Sequence, residues 1–340
     1  MDFSKGYSAS FYCTLVDPET WNDGERFEIT GGSISRVHED IRQNASITVK
    51  DIEGLNDVWI RIYMEANQNG GSTKIPLFTG LASSPTSNYL NGVTTYTVNC
   101  YSVLKLVSDI ILPIGWYIPR GANAVERIVD LLKPLKVPVY ISPEIDYSKK
   151  IIDTTLVAEE GETNLSMIDA ILNTIDWMLQ INGDGSINLL PVPYPETDVP
   201  VTILSPSYDV IETRFSTSED WFDCPNVIRI TYGSGVIIAR DDDPDSIFST
   251  VNRKREIWMS EESPSLIEGE SLSDYAKRRL REEQNRTMSI SYTRRYLPEI
   301  NQGDYIRINY NEINGDFYVD SQSITLGPSA QTNETVYMYV

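Results

Sequence analysis

Histidine is nearly absent: His38 is the only one in 340 residues. Zinc peptidases and amidases need several imidazoles, so that class is set aside. A Cys–His or Ser–His device would have to use His38, which sits in a charged, turn-like stretch, "RVHED". Cysteine is sparse and odd in number: Cys13, Cys100 and Cys224, with no CxxC. That excludes a zinc knuckle, gives no disulfide framework and fits assembly in a reducing cytoplasm. Long apolar runs are missing as well. "DIILPIGWYI" is short, opens on a charge and contains Pro113, so no membrane insertion is expected. The opening "MDFSKGYSASFYCTLVD" lacks the apolar stretch of a signal peptide. No Walker motif or GxGxxG occurs.

Basic charge is also short. Lys and Arg number 28 against 49 Asp and Glu, a net charge of -21. A surface this acidic repels nucleic-acid phosphate, so no specific nucleic-acid binding is expected. The one basic cluster, "KRRLR" at 277–281, stands among Glu268, Glu270, Glu282 and Glu283 and reads as a solvated helix face. In "RDDDPDS", Asp241, Asp243 and Asp245 have EF-hand spacing, but Ser246 replaces the required Gly and Asn252 the closing Glu. It reads as a solvated loop. No carboxylate pair stands out for glycosidase chemistry. Catalytic, cofactor-binding and metal residues are therefore assigned to none of these positions.

What is present favours ordered packing. Apolar residues make up 41%, with twenty Tyr and six Trp, the Trp spread along the chain as if among several cores. The length suggests two or three domains. Residues 26–107 read as β structure: short runs around Ile34 and around Ile47 and Val49, then "DVWIRIYMEA", an "NQNGG" turn, "IPLFTGLASS", a turn at "SNYLNG", and "VTTYTVNCY". Cys100 falls on the apolar face of that last strand and reads as core.

The pattern changes at residues 109–198. "NAVERIVDLLKPL" has helical spacing, and "GETNLSMIDAILNTIDWMLQI" carries a stripe of Leu165, Ile168, Leu172, Ile175 and Leu179 with Thr163 as N-cap. "NGDGS" turns into a strand, "INLLPVP". Beyond a proline-rich exit, "NVIRITYGSGVIIAR" reads as a hairpin. Residues 271–286 read as a helix with a Ser271–Asp274 capping box and a face of Leu272, Tyr275, Ala276 and Leu280.

The two ends of the chain match. "DVWIRIYMEANQNGG" parallels "GDYIRINYNEINGD": aromatic, Ile, Arg, Ile, then an Asn/Gly turn. "TTYTVNCY" parallels "ETVYMYV", and "SIS" occurs at 33–35 and 289–291. This predicts a duplicated small β domain with an insertion. Ile60, Ile62, Ile306 and Ile308 should face cores, and Arg61 and Arg307 should face away. The two arginines are candidates for a seam between the β domains, with a solvated sheet face as the other reading.

The order of these blocks resembles the baseplate hub proteins of contractile phage tails and phage-like particles, related to the late-control D proteins. Carriers are "DVWIRIYMEA…IPLFTGLASSP…TTYTVNCYSVLKLVSD", "NAVERIVDLLKPL…GETNLSMIDAILNTIDWMLQINGDGSINLLP" and "SLSDYAKRRLREEQ…LPEINQGDYIRINY…GDFYVDSQSI". Residues 1–25 match least well. The resemblance implies a mainly β fold with an inserted α/β module and two similar tube-like β-barrels. The implied divisions are 1–108, first barrel; 109–198, inserted module; 199–270, a linking or completing β segment; and 271–340, helix plus second barrel. It implies a homotrimeric ring without enzymatic activity or cofactor, adapting a sixfold tail tube to a threefold central spike. The ring forms part of the DNA conduit, with more acidic than basic side chains expected on its inner wall. Implied partners are the tail tube protein or tube initiator, the spike, other baseplate proteins and the tape measure protein. The implied location is the virion tail, assembled in the bacterial cytoplasm. No lysozyme or peptidase region follows the last block, so wall cutting is expected from another protein. A tail-tip adaptor of a non-contractile tail and a cell-wall glycosidase stand as alternatives.

Overall fold

The computed structural model of the chain describes residues 1–38, 40–50, 54–90, 92–143, 145–206, 211–310, 313–328 and 330–339. The chain begins with seven strands: β1 (Ser8–Val16), β2 (Asp23–Arg36), β3 (Gln43–Val49), β4 (Val58–Gln68), β5 (Gly71–Ala82), β6 (Thr86–Leu90) and β7 (Val93–Ser102). Alternation puts Ile34, Ile47, Ile60, Ile62, Val98 and Cys100 on one side, all 0% exposed. They pack into one core with Phe78 and Met64. The pairings run β1–β4–β5–β7–β3–β2, and β2 pairs back with β1.

Next come α1 (Lys105–Asp109), β8 (Tyr117–Ile118), α2 (Ala124–Leu132), β9 (Val139–Ile141), β10 (Leu156–Val157), α3 (Asn164–Ile175), β11 (Trp177–Ile181) and β12 (Ile187–Pro191). The Thr163 hydroxyl accepts from Ser166 N at the start of α3, completing a capping box. Asp176, in the left-handed region, ends the helix. The expected stripe is thus shorter: Leu179 lies on β11, not on the helix. The sequence also spreads the tryptophans over several cores, whereas Trp177 is buried in this module's core and Trp21, Trp59 and Trp116 pack against it.

The rest holds β13 (Thr202–Leu204), β14 (Ile211–Glu219), β15 (Val227–Tyr232), β16 (Gly235–Arg240), α4 (Thr250–Arg253), β17 (Trp258–Glu262) and α5 (Leu272–Asn285). Then come β18 (Met288–Arg295), β19 (Tyr305–Tyr310), β20 (Ile313–Thr325) and β21 (Gln331–Met338). The expected hairpin is β15–β16, which with β17 forms a small sheet covered by α5 through Tyr275, Ala276 and Leu280. Ser271 caps α5 by accepting from Asp274 N. In the last unit Ile306 and Ile308 are 0% exposed in a core with Phe317, Val319 and Val336.

Three expectations need correction. Where the sequence predicts two separate barrels, β2 pairs with β20, so both β units lie in one 13-stranded sheet. "SNYLNG" reads as a turn, yet Ser87 to Leu90 belong to β6; residue 91 lies outside the described residues, as do 311 and 312 of the second expected Asn/Gly turn. The "SIS" echo also joins strands that do not correspond. The reason is visible in the strand order. Counted by position within each unit, the first runs first–fourth–fifth–last–third–second (β1-β4-β5-β7-β3-β2), and the second runs the same way (β13-β19-β20-β21-β18-β14). β4 and β19, which carry "WIRI" and "YIRI", are both fourth. Ile60 faces Gly80 and then Ser102; Ile306 faces Phe317 and then Met338. Carrying that register across makes 289–291 the counterpart of 44–46, and 216–218 the counterpart of 33–35. Both units even gain one extra residue at the same place, between Ala82 and Thr86 and between Val319 and Ser323. Two differences remain: β1 runs antiparallel to β4, while the short β13 runs parallel to β19, and β1 also pairs with β2, whereas among the described residues β13 does not pair with β14.

Candidate functional site

The two β units meet where β2 changes partner. Its first half pairs with β1; its last residues, 33–36, lie between β3 and β20. The Leu326 amide extends the ladder, donating to the Gly32 carbonyl at 2.9 Å. Under this joint runs a chain of buried polar side chains. Arg36 donates to the Leu77 carbonyl at 2.9 Å, to Asn301 Oδ1 at 3.0 Å and to Gln322 Oε1 at 3.4 Å. Gln322 Nε2 donates to the Ile300 carbonyl at 3.1 Å and to Glu334 Oε1 at 2.7 Å. Arg294 grips Glu334 with two bonds, 3.0 and 2.6 Å, and the Tyr292 hydroxyl donates to the same carboxylate. Both charged side chains of that pair are fully buried. Burial pushes the Glu334 carboxyl up, but Arg294 and the donors around it outweigh that and hold it below its ordinary value.

The other face of the same sheet carries no charge along four rows. One runs Tyr101, Asn44, Ser35, Ser323, Asn333, Thr293 across six strands. Beside it run Asn99, Ser46, Ser33, Thr325, then Ser321, Thr335, Ser291, Ser216, then Tyr337, Ser289, Ser218. Hydroxyls and amides bond one another across it: Ser291 with Thr335 at 3.0 Å, and Thr293 to Asn333 at 2.7 Å. In a chain that is 23% charged, a neutral face spanning both units is a specific feature.

The α/β module is tied to both units by glycine turns. Gly183 lies against β5 so closely that a Cβ would stand 2.0 Å from the Pro76 carbonyl oxygen. Thr79 Oγ1 donates to the Gly183 carbonyl at 2.8 Å. On the other unit, Gln180 Nε2 donates to the Gln302 carbonyl at 2.8 Å and to Asp304 Oδ1 at 2.9 Å. Gly303, at φ +90°, lets this turn pass Met178. Burial raises the Asp304 carboxyl to about 6, against the pull of the Asn301 amide and Gln180. Arg42 adds a 2.5 Å ion pair with Asp169 on α3.

Arg61 turns away from the core, as alternation requires, but it is buried. It donates to Thr79 Oγ1 at 3.0 Å, Asp23 Oδ1 at 2.8 Å, and the Trp21 and Asp184 carbonyls at 3.3 and 3.2 Å. It thus binds the first unit to the module. Arg307 stays half exposed beside Asp316 of its own hairpin, at 2.6 Å. Within the chain neither of these partner sets reaches across from one β unit to the other; Arg36 does. His38 lines a cleft with Arg42, Trp177, Glu282 and Arg286. Burial first, then Arg42 and Arg286, lowers its pKa to about 4, leaving a poor base at neutral pH. Burial raises the Cys13 thiol to about 12, the Cys224 thiol to about 11, and that of Cys100 further. Asp241 accepts from Ser246 Oγ at 2.6 Å and from Gln284 Nε2 at 3.0 Å. Arg278 and Arg279 pair with Glu270, Glu261, Glu282 and Glu283, so the basic cluster is neutralised rather than merely solvated. The residues missed from sequence are Arg36, Gln322, Arg294 and Glu334. For Arg294 and Glu334 the signal was a charge on an apolar face: Arg294 alternates with Tyr292 and Ile290, and Glu334 with Val336.

No family model and no curated protein matches the chain. Solved structures do. A tail protein from Neisseria meningitidis aligns with TM-score 0.71 at 13% identity, covering 98% of this chain and 97% of its own. The 43 kDa tail protein of prophage MuSo2 from Shewanella oneidensis gives 0.67 at 13%, covering 97% and 98%. Prophage tail protein gp18 from Listeria monocytogenes gives 0.57 at 12%, covering 96% and 94%. At these identities the agreement is one of architecture, and over nearly the whole length this chain has the fold of phage tail proteins.

Proposed function

We propose that the chain is the structural hub of a phage tail or phage-like contractile particle. Three copies form a ring that adapts a sixfold tube to a threefold spike. The observation that carries this reading is the repeated strand order. One chain holds the same six-strand arrangement twice, so three chains supply six similar units while keeping threefold symmetry on any feature present once per chain. Each unit is a small barrel-like body; the pairing of β1 with both β4 and β2 supports this for the first. Residues 1–108 and 271–340, with β segments from 199–270, then make up the two tube units, and 109–198 the inserted module.

In this reading the neutral face lines the conduit. A wall of hydroxyls and amides offers no fixed charge to hold a passing polyanion. The sequence reading put a surplus of acidic side chains there; the neutral rows support an uncharged wall instead. The role needs no chemistry from the chain, and a neutral, half-buried His38 and inert buried thiols are in keeping with that. Tube or tube-initiator protein, spike, other baseplate proteins and tape measure protein are the partners, in the virion tail after assembly in the host cytoplasm. Arg307, half exposed, is available to a neighbouring copy, whereas Arg61 is occupied by the module. The test is the native mass of the purified protein with a low-resolution image. Three chains in a ring with a central hole are expected. A stable monomer at all concentrations, or wall hydrolysis abolished by one Asp or Glu substitution, overturns the proposal.

A further inference from the structure

Correspondence between the units exposes two strand edges that should not be bare. In the first unit, residues 33–36 of β2 find β20. Their counterparts, 216–219 of β14, pair only with β18 among the described residues. In the second unit, 322–325 of β20 receive β2. Their counterparts are 85–88, because Thr86 faces Thr97 as Ser323 faces Asn333, and among the described residues β6 pairs only with β7. Residues 86–89 and 215–219 are all exposed. Unpaired edges of this kind invite another chain.

We propose that these edges are the two halves of one joint: residues 215–219 of one copy add antiparallel to residues 85–89 of a second copy, in the register of 32–36 on 322–326. This rests on the ring reading for the number of copies, not for the surface. The Leu326 amide that donates to Gly32 in the internal joint has Tyr89 as counterpart, and Gly32 has Phe215. Tyr89 is 75% exposed and Phe215 37%, while Leu326 is 3% exposed, set into the core of the first unit. The aromatic pair therefore waits at the position where the internal joint buries its apolar anchor. Two core-facing counterparts are more polar than the originals: Thr217 stands for Ile34 and Ser87 for Ile324. That suits a surface that is wetted before assembly, unlike one buried during folding. At the end of the joint Glu219 stands for Arg36 and Pro85 for Gln322, so the ladder there loses one main-chain donor, as an edge strand tolerates. Joining two different edges is a heterologous contact, which closes into a ring or runs on as a thread according to the rotation per copy.

The test is a Thr86→Cys/Ser218→Cys double variant under mild oxidation, read on a non-reducing gel. This pair occupies the place of Ser323 and Ser35, which alternate with the hydrogen-bonded positions. Such pairs stand about 4.5 Å apart at Cα, within disulfide reach. Thr86→Cys/Thr217→Cys, shifted by one residue, directs its thiols to opposite faces and serves as control. Expected are dimers and a closed trimer for the first pair and none for the control. A crosslinked ladder without a closed limit retains the joint and overturns the ring. A trimer by mass that does not crosslink retains the ring and overturns the joint. A monomer without crosslinks overturns both. On the unmodified protein, hydrogen exchange at the Tyr89 amide should slow at least tenfold on assembly; unchanged exchange in a trimer overturns the joint.

Discussion

Ile34 of β2 and Ile324 of β20 stand directly opposite each other, both wholly buried, one from each β unit. They pack in the same core as Phe78 and Met64, so part of the second unit is built into the first. Ile324→Ala should therefore lower stability by about 2–5 kcal/mol, the usual cost of truncating a buried isoleucine. Urea unfolding checks this. A loss below about 1 kcal/mol would mean the two units do not share a core in solution.

Glu334→Leu strands Arg294 in the interior with no counter-charge. The expected loss is about 3–5 kcal/mol, and Arg294→Met in the same chain should recover most of it. The double-variant cycle is the measurement. Simple addition of the two single losses would contradict the pairing.

Much of this was legible in the sequence, and what was not has physical reasons. Period-two alternation located the core positions of β4, β7 and β19, and capping residues placed α3 and α5. "WIRI" and "YIRI" do occupy corresponding strands. The union of the units through β2 could not be read, because main-chain pairing leaves no side-chain signature, and the Gly/Ser-rich "GGSISR" looks like any half-exposed strand. Arg61 faces away from its core, as alternation required, and the sequence offered it for a seam between β units or a solvated sheet face; within the chain it is covered by the module. What covers it, the turn at Gly183 and Asp184, is more than a hundred residues away in sequence. The candidate joint was hidden more deeply: β6 passed for a turn, since "SNYLNG" is rich in turn-forming residues.

Asp304 and His38 should oppose each other in acid. Asp304 titrates near 6 when folded against an ordinary 3.8, so the stability from its protonated form is full below pH 4 and lost as pH rises to 6. His38 titrates near 4 against 6.5, so its contribution is full above pH 6.5 and lost as pH falls to 4. Asp304→Asn removes the first slope. Its stability should then climb with pH between 4 and 6 more steeply than the parent's, by on the order of 2–3 kcal/mol across the window. Identical slopes would show that Asp304 is not buried against Gln180.

Gly183→Ala asks for a methyl group where the Pro76 carbonyl stands. The module's turn must lift from β5, breaking the bond from Thr79. Limited proteolysis within 182–186 should become faster, and stability should fall by about 1–3 kcal/mol. Unchanged digestion would show that the turn is not seated on β5.

Lysine at Ser35, Ser323 and Asn333 together should leave the fold intact, since all three lie on the face opposite the core. It should also give the face an affinity for DNA that fades with salt, where the parent shows none. Gel retardation at two salt concentrations reads this out. Retardation of the parent chain would argue against a neutral wall.

The partner change along β2 has a mechanical consequence. Ladder bonds lie across the strands, so a pull along β2 loads the bonds to β20 together, in shear. A sideways pull would open them one after another, like a zip. Force delivered along the strand direction passes from one unit to the other through main-chain bonds backed by Ile34 and Ile324. Single-molecule pulling along that axis should meet a much higher rupture force than pulling across it.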